Sequence, residues 1–278
     1  KSSSGISIYN YKWSANSKKK SAPYYLETFR PDDEELFNTR EIFIDEVDRV
    51  LLKIKKHESN FITIEGESGS GKSSLVLAGL VPRLAKESSW KFVYVEFNED
   101  PYQDLAAGLV SIINDIKDPI KTDPDQVNQL SIKIKESKDE LKKQLQAIKD
   151  KNPGTRILMI ADQLDSLYTK CTQEVRTNFL TLLKSSLQKE NFDSIVLIAT
   201  FDSSNFQKDG SDVQDYKNIL GEDVEKIPSL TEENLIDLIT KPAGKKGIEF
   251  ESKLPEKIIK DLSNKKHDLM LLGAILVR

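Results

Sequence analysis

Apolar residues in this chain form short unbroken runs, separated by longer stretches in which they recur at helical spacing. Phe61-Ile62-Thr63-Ile64, KFVYVEF at 91–97, RILMIA at 156–161 and SIVLIATF at 194–201 are runs of the first kind. Rich in β-branched and aromatic residues, they predict strands, and a further short strand is expected near Val224–Ile227. Between them, Ile42, Val47, Val50, Leu51 and Ile54 share one face of a helix over 41–56. Leu75, Val76, Gly79, Leu80 and Leu84 keep the same spacing after residue 73. Pro101 opens a helix that runs to about Ile116, and 117–129, with Pro119, Asp123, Pro124 and Asp125, reads as a connection. Leu130, Ile134, Leu141, Leu145 and Ile148 define one amphipathic helix, which Asn152-Pro153-Gly154 ends. A helix over 173–189 follows, and 202–221 is polar and loop-like, with room for a short helix at 213–220. Helices are then expected at 231–240, at 254–263 and from about Asp268.

Strand and helix alternate, and the strands are continuously apolar rather than alternating. This predicts an α/β fold with a parallel sheet covered on both faces. The core is expected over 23–229, followed by a small helical lid domain over 230–278 that is truncated at its end. Residues 1–22, rich in Ser, Lys and Asn, read as a linker or arm. A start at Lys1 and a stop at Arg278 inside an apolar segment read as a piece of a longer chain.

The chemistry concentrates at 66–73, GESGSGKS, which fits G-x-x-x-x-G-K-[ST] at Gly66, Gly71, Lys72 and Ser73. A strand precedes it and a helix follows, as a phosphate-binding loop requires. Glycines let successive backbone N–H groups turn toward a phosphate, and the helix presents its positive end to the same anion. Gly66, Glu67, Ser68, Gly69, Ser70, Gly71, Lys72, Ser73 and Ser74 are therefore the expected nucleotide-binding residues. Lys72 is expected to reach the β- and γ-phosphates, and Ser73 to ligate Mg²⁺. Such a loop needs an acid at a neighbouring strand end to hold the metal, and Asp162 ends ILMIAD. Asp165, three residues on, is placed either to polarise an attacking water or to serve as an ordinary first-turn helix acid. Gln163 could also orient water, while Thr200 and Asp202, at the end of 194–201, are placed to read a γ-phosphate. The catalytic candidates are thus Lys72, Asp162 and Asp165.

Composition narrows the partners. Net charge is −4, so nothing indicates nucleic acid, and Lys18-Lys19-Lys20 reads as a solvated segment. The single Cys171 forbids an internal disulfide and fits a reducing compartment. With no run long enough for a membrane span, a cytoplasmic location is expected. The two histidines offer no metal-ligand spacing.

Five segments resemble the novel STAND NTPases, signal-transduction ATPases related to the NB-ARC and AAA+ groups. PYYLETFRPDDEELFNTREIFIDEV is similar to the family's N-terminal signature, with Arg40 and Glu41 matching its Arg-Glu and Thr39 in place of its glycine. GESGSGKSSLVLAGLVPRL matches through the Ala-Gly-Leu-x-Pro tail. ADQLDSLYT matches at Asp162 and Gln163, with Asp165 for a glutamate. LIATFDSSNF carries Thr200 where the family has Arg, with Asp202 matching its Asp. In the fifth, Pro242-Ala243 matches the helical lid, and Met270 replaces the proline of Leu-Pro-Leu-Leu.

The resemblance implies a STAND/AAA+-like P-loop core that binds ATP or ADP with Mg²⁺, with Arg40 beside the adenine. It implies a slow, switch-like ATPase whose nucleotide state governs self-association. Effector and sensor domains are expected on the same longer chain, with a role in bacterial antiviral defence or signalling. A non-hydrolysing nucleotide-locked scaffold stands as the alternative, as does another P-loop ATPase or kinase. Against a kinase, 202–270 contains no arginine to clamp an acceptor phosphate.

Overall fold

A computed structural model describes residues 6, 8–11, 29–37, 41–87, 89–187, 194–202, 223–228, 230–245 and 247–262. Its centre is a six-stranded sheet: β1 (Ile8–Tyr9), β2 (Phe61–Glu65), β3 (Trp90–Glu96), β4 (Arg156–Asp162), β5 (Ile195–Phe201) and β6 (Val224–Lys226). The order across the sheet is β1-β3-β4-β5-β2-β6, and every neighbouring pair is parallel. All seven residues of β5 are buried, as expected of a strand with neighbours on both edges and helices on both faces.

The period of two sorts the strand side chains into two cores. Val93, Val95, Ile157, Met159, Ala161, Leu197 and Ala199 face helices Pro101–Ile113, Pro124–Glu136, Glu140–Lys151 and Gln173–Ser186. Ile62, Ile64, Phe92, Leu158, Ile160, Val196 and Ile198 face helix Ile44–Lys55, the helix after the phosphate loop, and helices Glu232–Lys245 and Leu254–Leu262. Leu235, Leu238, Ile239 and Ile259 of the last two helices are buried in that second core.

Several elements differ from the sequence expectation. Ile8–Tyr9, expected in an arm, pairs with Phe92–Val93 at the sheet edge. The Asp123-Pro124 segment starts a helix instead of a connection. The Asp123 side chain accepts from the Asp125 N–H, and Pro124 occupies the first turn, where its missing N–H costs nothing. The expected single helix over 130–148 is two, Pro124–Glu136 and Glu140–Lys151, because Ser137 is extended. Helix Pro101–Ile113 ends three residues early, at Asn114. The expected helix from about Asp268 lies outside the described residues, as does Met270.

The helix after the phosphate loop is α-helical at Lys72–Ser74 and Val81–Ala85, and π-helical at Leu75–Leu80 between. Pro82 accounts for the widened stretch. Its ring would crowd the carbonyl four residues back and it donates no N–H, so the Val81 N–H bonds Val76 O instead. Gly79 lies within this stretch, and a Cβ there would stand 2.8 Å from Val47 Cγ2 and 2.9 Å from Phe37 Cε1. The missing side chain lets this helix close on helix Ile44–Lys55 and on Glu34–Phe37.

Gly79→Ala should therefore destabilise the protein, although alanine is the better helix former by about 1 kcal/mol. Overpacking against buried Val47 and Phe37 costs about 1–3 kcal/mol. Thermal unfolding should show a lower midpoint, and an unchanged or higher one would contradict this packing.

Candidate functional site

The ends of β2, β4 and β5 converge at the phosphate loop. β2 delivers the chain into Gly66, whose N–H bonds Phe201 O at the end of β5 (3.1 Å). Gly69 and Gly71 take positive φ, 75° and 98°, which glycine adopts without strain. Glu67 and Ser68 are exposed on the loop, and the Ser70 N–H bonds Glu67 O at 3.1 Å. Gly71 is the residue before the helix, and its carbonyl accepts from Leu75 N–H at 2.9 Å. Lys72 folds back over the loop, donating its Nζ to Gly66 O and Glu67 O, both at 2.8 Å. Burial pushes the Lys72 amine below its ordinary pKa, against the opposing pull of Asp202, Asp165, Asp162 and Glu67.

Asp162 is the hub. It is only 3% exposed, and three hydroxyls from three elements hold it. Ser73 Oγ (2.8 Å) and Thr200 Oγ1 (2.5 Å) donate to Oδ1, and the Tyr94 hydroxyl donates to Oδ2 at 2.7 Å. Strand parity explains the meeting: Tyr94, Asp162 and Thr200 continue the rows Phe92, Leu158-Ile160 and Val196-Ile198 on the phosphate-loop face. Burial raises the Tyr94 pKa well above the ordinary phenol value, and the Asp162 charge and hydrogen bond raise it further. The phenol therefore remains protonated, as a donor must.

Directly after Asp162 the backbone turns through Gln163, at φ 53°. The Gln163 N–H then bonds Thr200 Oγ1 (2.9 Å) and the Leu164 N–H bonds Thr200 O (3.0 Å). Thr200 is fully buried, so its hydroxyl, expected at a γ-phosphate, is committed to Asp162 and this turn. Asp165 is 8% exposed and accepts from the Asp202 N–H at 3.1 Å. Ser74 Oγ accepts from the Phe29 N–H at 3.0 Å, so its hydroxyl ties the Phe29–Phe37 segment to the loop helix. Arg40 lies outside the described residues. Tyr94 is the site residue that sequence reasoning missed.

The donor set fits a phosphate. The Ser70 hydroxyl is buried with no hydrogen-bond partner, and it lies 2.7 Å from where a Cβ on Gly66 would stand. Glycine at 66 thus leaves room for an otherwise orphaned donor. The adjacent Ser73 hydroxyl and Asp162 carboxylate are hard oxygen donors of the kind Mg²⁺ takes. No group of three or more His, Cys, Asp or Glu that could hold a metal occurs among the described residues. A cation here would share its coordination with phosphate oxygens, as Mg²⁺ commonly does.

Parallel sheet, phosphate loop and strand-end acid define a P-loop NTPase. The family described as Novel STAND NTPase 1 matches residues 23–278. The chain belongs to this novel STAND NTPase family.

Among curated proteins none matches. Among solved structures, the Aeropyrum pernix Orc1 protein in complex with DNA aligns with TM-score 0.52 and 16% identity, over 92% of this chain and 63% of that one. Cdc6p from Pyrobaculum aerophilum aligns with TM-score 0.49 and 14% identity, over 93% and 63%. The Walker-type ATPase PABY2304 of Pyrococcus abyssi aligns with TM-score 0.47 and 12% identity, over 84% and 65%. The chain spans less than two thirds of the length of each. The Orc1 likeness concerns the fold. Among the described residues, no helix is long and apolar enough to cross a membrane.

Thr200→Val keeps the shape of the side chain but removes the donor to Asp162 and leaves the Gln163 N–H without its acceptor. It should cost about 1–3 kcal/mol of stability by thermal or denaturant unfolding, and Thr200→Ser should restore most of it. A valine variant as stable as wild type would contradict the hub.

Proposed function

We propose that this chain is the ATP-binding and slowly hydrolysing switch module of a larger protein, in which nucleotide state governs self-association and effector activation. The observation that carries the reading is the meeting of Lys72, Ser73 and Asp162 at the strand ends. On this reading, loop amides 66–74 and Lys72 bind the triphosphate, and Ser73 and Asp162 hold Mg²⁺. Mg²⁺, when bound, neutralises phosphate charge and orients the terminal phosphoryl group. Asp165, whose Oδ1 accepts from the Asp202 N–H, stands near Lys72 and is the candidate to orient the attacking water. Arg40 is proposed to lie beside the adenine, and Ser74 to contribute its backbone.

Arg49, Arg83, Arg156 and Arg176 are engaged with a glutamate, a backbone carbonyl or an aromatic ring. With these four committed elsewhere, a charge-stabilising arginine is either supplied by a neighbouring subunit or absent. The division into a core over 23–229 and a lid over 230–278, the cytoplasmic location, companion effector and sensor domains and a role in bacterial antiviral defence or signalling are parts of the same proposal. A switch fits the layout. Lys241 bonds Glu41 at 2.8 Å, and Lys245 bonds Glu35 O at 3.4 Å, so helix Glu232–Lys245 reaches the segment that Ser74 ties to the loop.

Solution mass and phosphate release, followed together with ADP and with a non-hydrolysable ATP analogue, test the reading. The switch predicts larger assemblies with the analogue and slow turnover of ATP; a monomer turning over rapidly would contradict it. Lys72→Ala should weaken nucleotide binding roughly ten- to a hundredfold, the worth of a charge-assisted bond. Asp165→Ala should retain binding and slow phosphate release about 10²-fold or more. Unchanged affinity or unchanged turnover would remove the respective residue from the mechanism.

A further inference from the structure

The Tyr94 hydroxyl gives the magnesium-site carboxylate a connection to the far edge of the sheet. Tyr94 stands on β3, and β1 is the strand beyond it. β1 is two residues long, paired Ile8 to Phe92 and Tyr9 to Val93. So short a ladder holds a chain weakly, yet Ile8 is fully buried and Tyr9 is 4% exposed. The next two residues both meet Tyr94. Asn10 takes φ 60°, a conformation asparagine tolerates, and donates its Nδ2 to Tyr94 O at 3.0 Å. The Tyr11 ring packs edge-on against the Tyr94 ring, centroids 4.8 Å apart and planes at 79°. Tyr9 is itself anchored, with its hydroxyl donated to Asp115 and its ring under the Lys91 amine.

We propose that Tyr94 is a positioning residue for Asp162, and that the edge segment Ile8–Tyr11 holds Tyr94 in place, so that this segment sets how well the site retains Mg²⁺. Asp162 Oδ1 is shared by Ser73 and Thr200, and Tyr94 fixes the other oxygen. Rotation of the carboxylate is thereby blocked from both ends. A partner that orients a metal-binding carboxylate commonly contributes tenfold or more to metal affinity. Tyr94 also has room to lose its hold. It is half-buried rather than sealed in the core, and the ring packed against it, Tyr11, comes from a segment whose ladder to the sheet is two residues long. Displacement of Ile8–Tyr11 removes the Asn10 bond and the Tyr11 ring together and frees the phenol to swing. Movement of this edge segment thus reaches Asp162 through Tyr94. The proposal rests on the reading of Ser73 and Asp162 as the Mg²⁺ site.

Its test is the ratio of ADP affinities measured in Mg²⁺ and in EDTA with a fluorescent ADP on the 278-residue chain. Tyr94→Phe keeps the ring and removes one hydroxyl; it should lower the ratio about tenfold. Tyr11→Ala should lower it at least about twofold, and by less when Tyr94 is already Phe, because the effect passes through that hydroxyl. Melting curves of each variant report stability separately, and lost stability alone does not change the ratio. A wild-type ratio in Tyr94→Phe overturns the positioning role. A Tyr11→Ala effect that is absent, or equal in both backgrounds, overturns the coupling. If wild type binds ADP equally with and without Mg²⁺, the metal-site reading fails and takes the proposal with it.

Discussion

A carboxylate with almost no exposure, at the end of a central strand, is costly unless donors surround it. Asp162 meets that cost with hydroxyls from β3, β5 and the helix after the phosphate loop. The rest of the site depends on this one cluster. It fixes where the loop helix begins relative to β4, and it spaces the loop from the acid by the width of β5. It also commits the turn at Gln163 to a left-handed residue. Remove any donor and a buried charge loses part of its compensation, so the cluster specifies the register of four elements at once.

The sheet makes the cluster attainable. Parallel strands place their carboxyl ends together, and parity places Tyr94, Asp162 and Thr200 on one face. The loop helix packs closely on that same face because Gly79 permits contact with Val47 and Phe37. Ser74 then ties Phe29 to the helix, and the lysines of helix Glu232–Lys245 reach Glu35 and Glu41. One chain of contacts therefore runs from the phosphate loop through Phe29–Phe37 and Glu41–Phe43 to the helices after 230.

How much of this the sequence shows depends on whether a feature is local. The loop at 66–73 is legible because all its fixed residues are contiguous, and Asp162 because a lone acid ends an apolar run. β2 to β5 are legible for the same reason. Tyr94 is not legible. Within KFVYVEF it looks like one more aromatic strand residue, and only the register with β4 brings its hydroxyl to Asp162. β1 is too short to show any period, and tertiary contacts make it a strand. The helix from Pro124 was legible in principle: Asp-Pro-Asp is a start signal as much as a turn signal, and the residues that follow decide which. Thr200 ends a strand, a position that in sequence suits either a turn or a phosphate contact; its bonds to Asp162 and the Gln163 N–H are visible only in the fold.

Family membership and geometry agree on a P-loop NTPase, and Thr200 is committed to Asp162 and the Gln163 turn. The central claim is that Ser73 and Asp162 hold the metal that accompanies a nucleotide in the 66–73 loop. A crystal structure with a non-hydrolysable ATP analogue and Mn²⁺, read by the anomalous signal of manganese, tests it most directly. Manganese should lie beside Ser73 Oγ and face Asp162, with the Lys72 amine moved from the Gly66 and Glu67 carbonyls onto phosphate. Manganese held by other carboxylates, or nucleotide bound outside the loop, would contradict it.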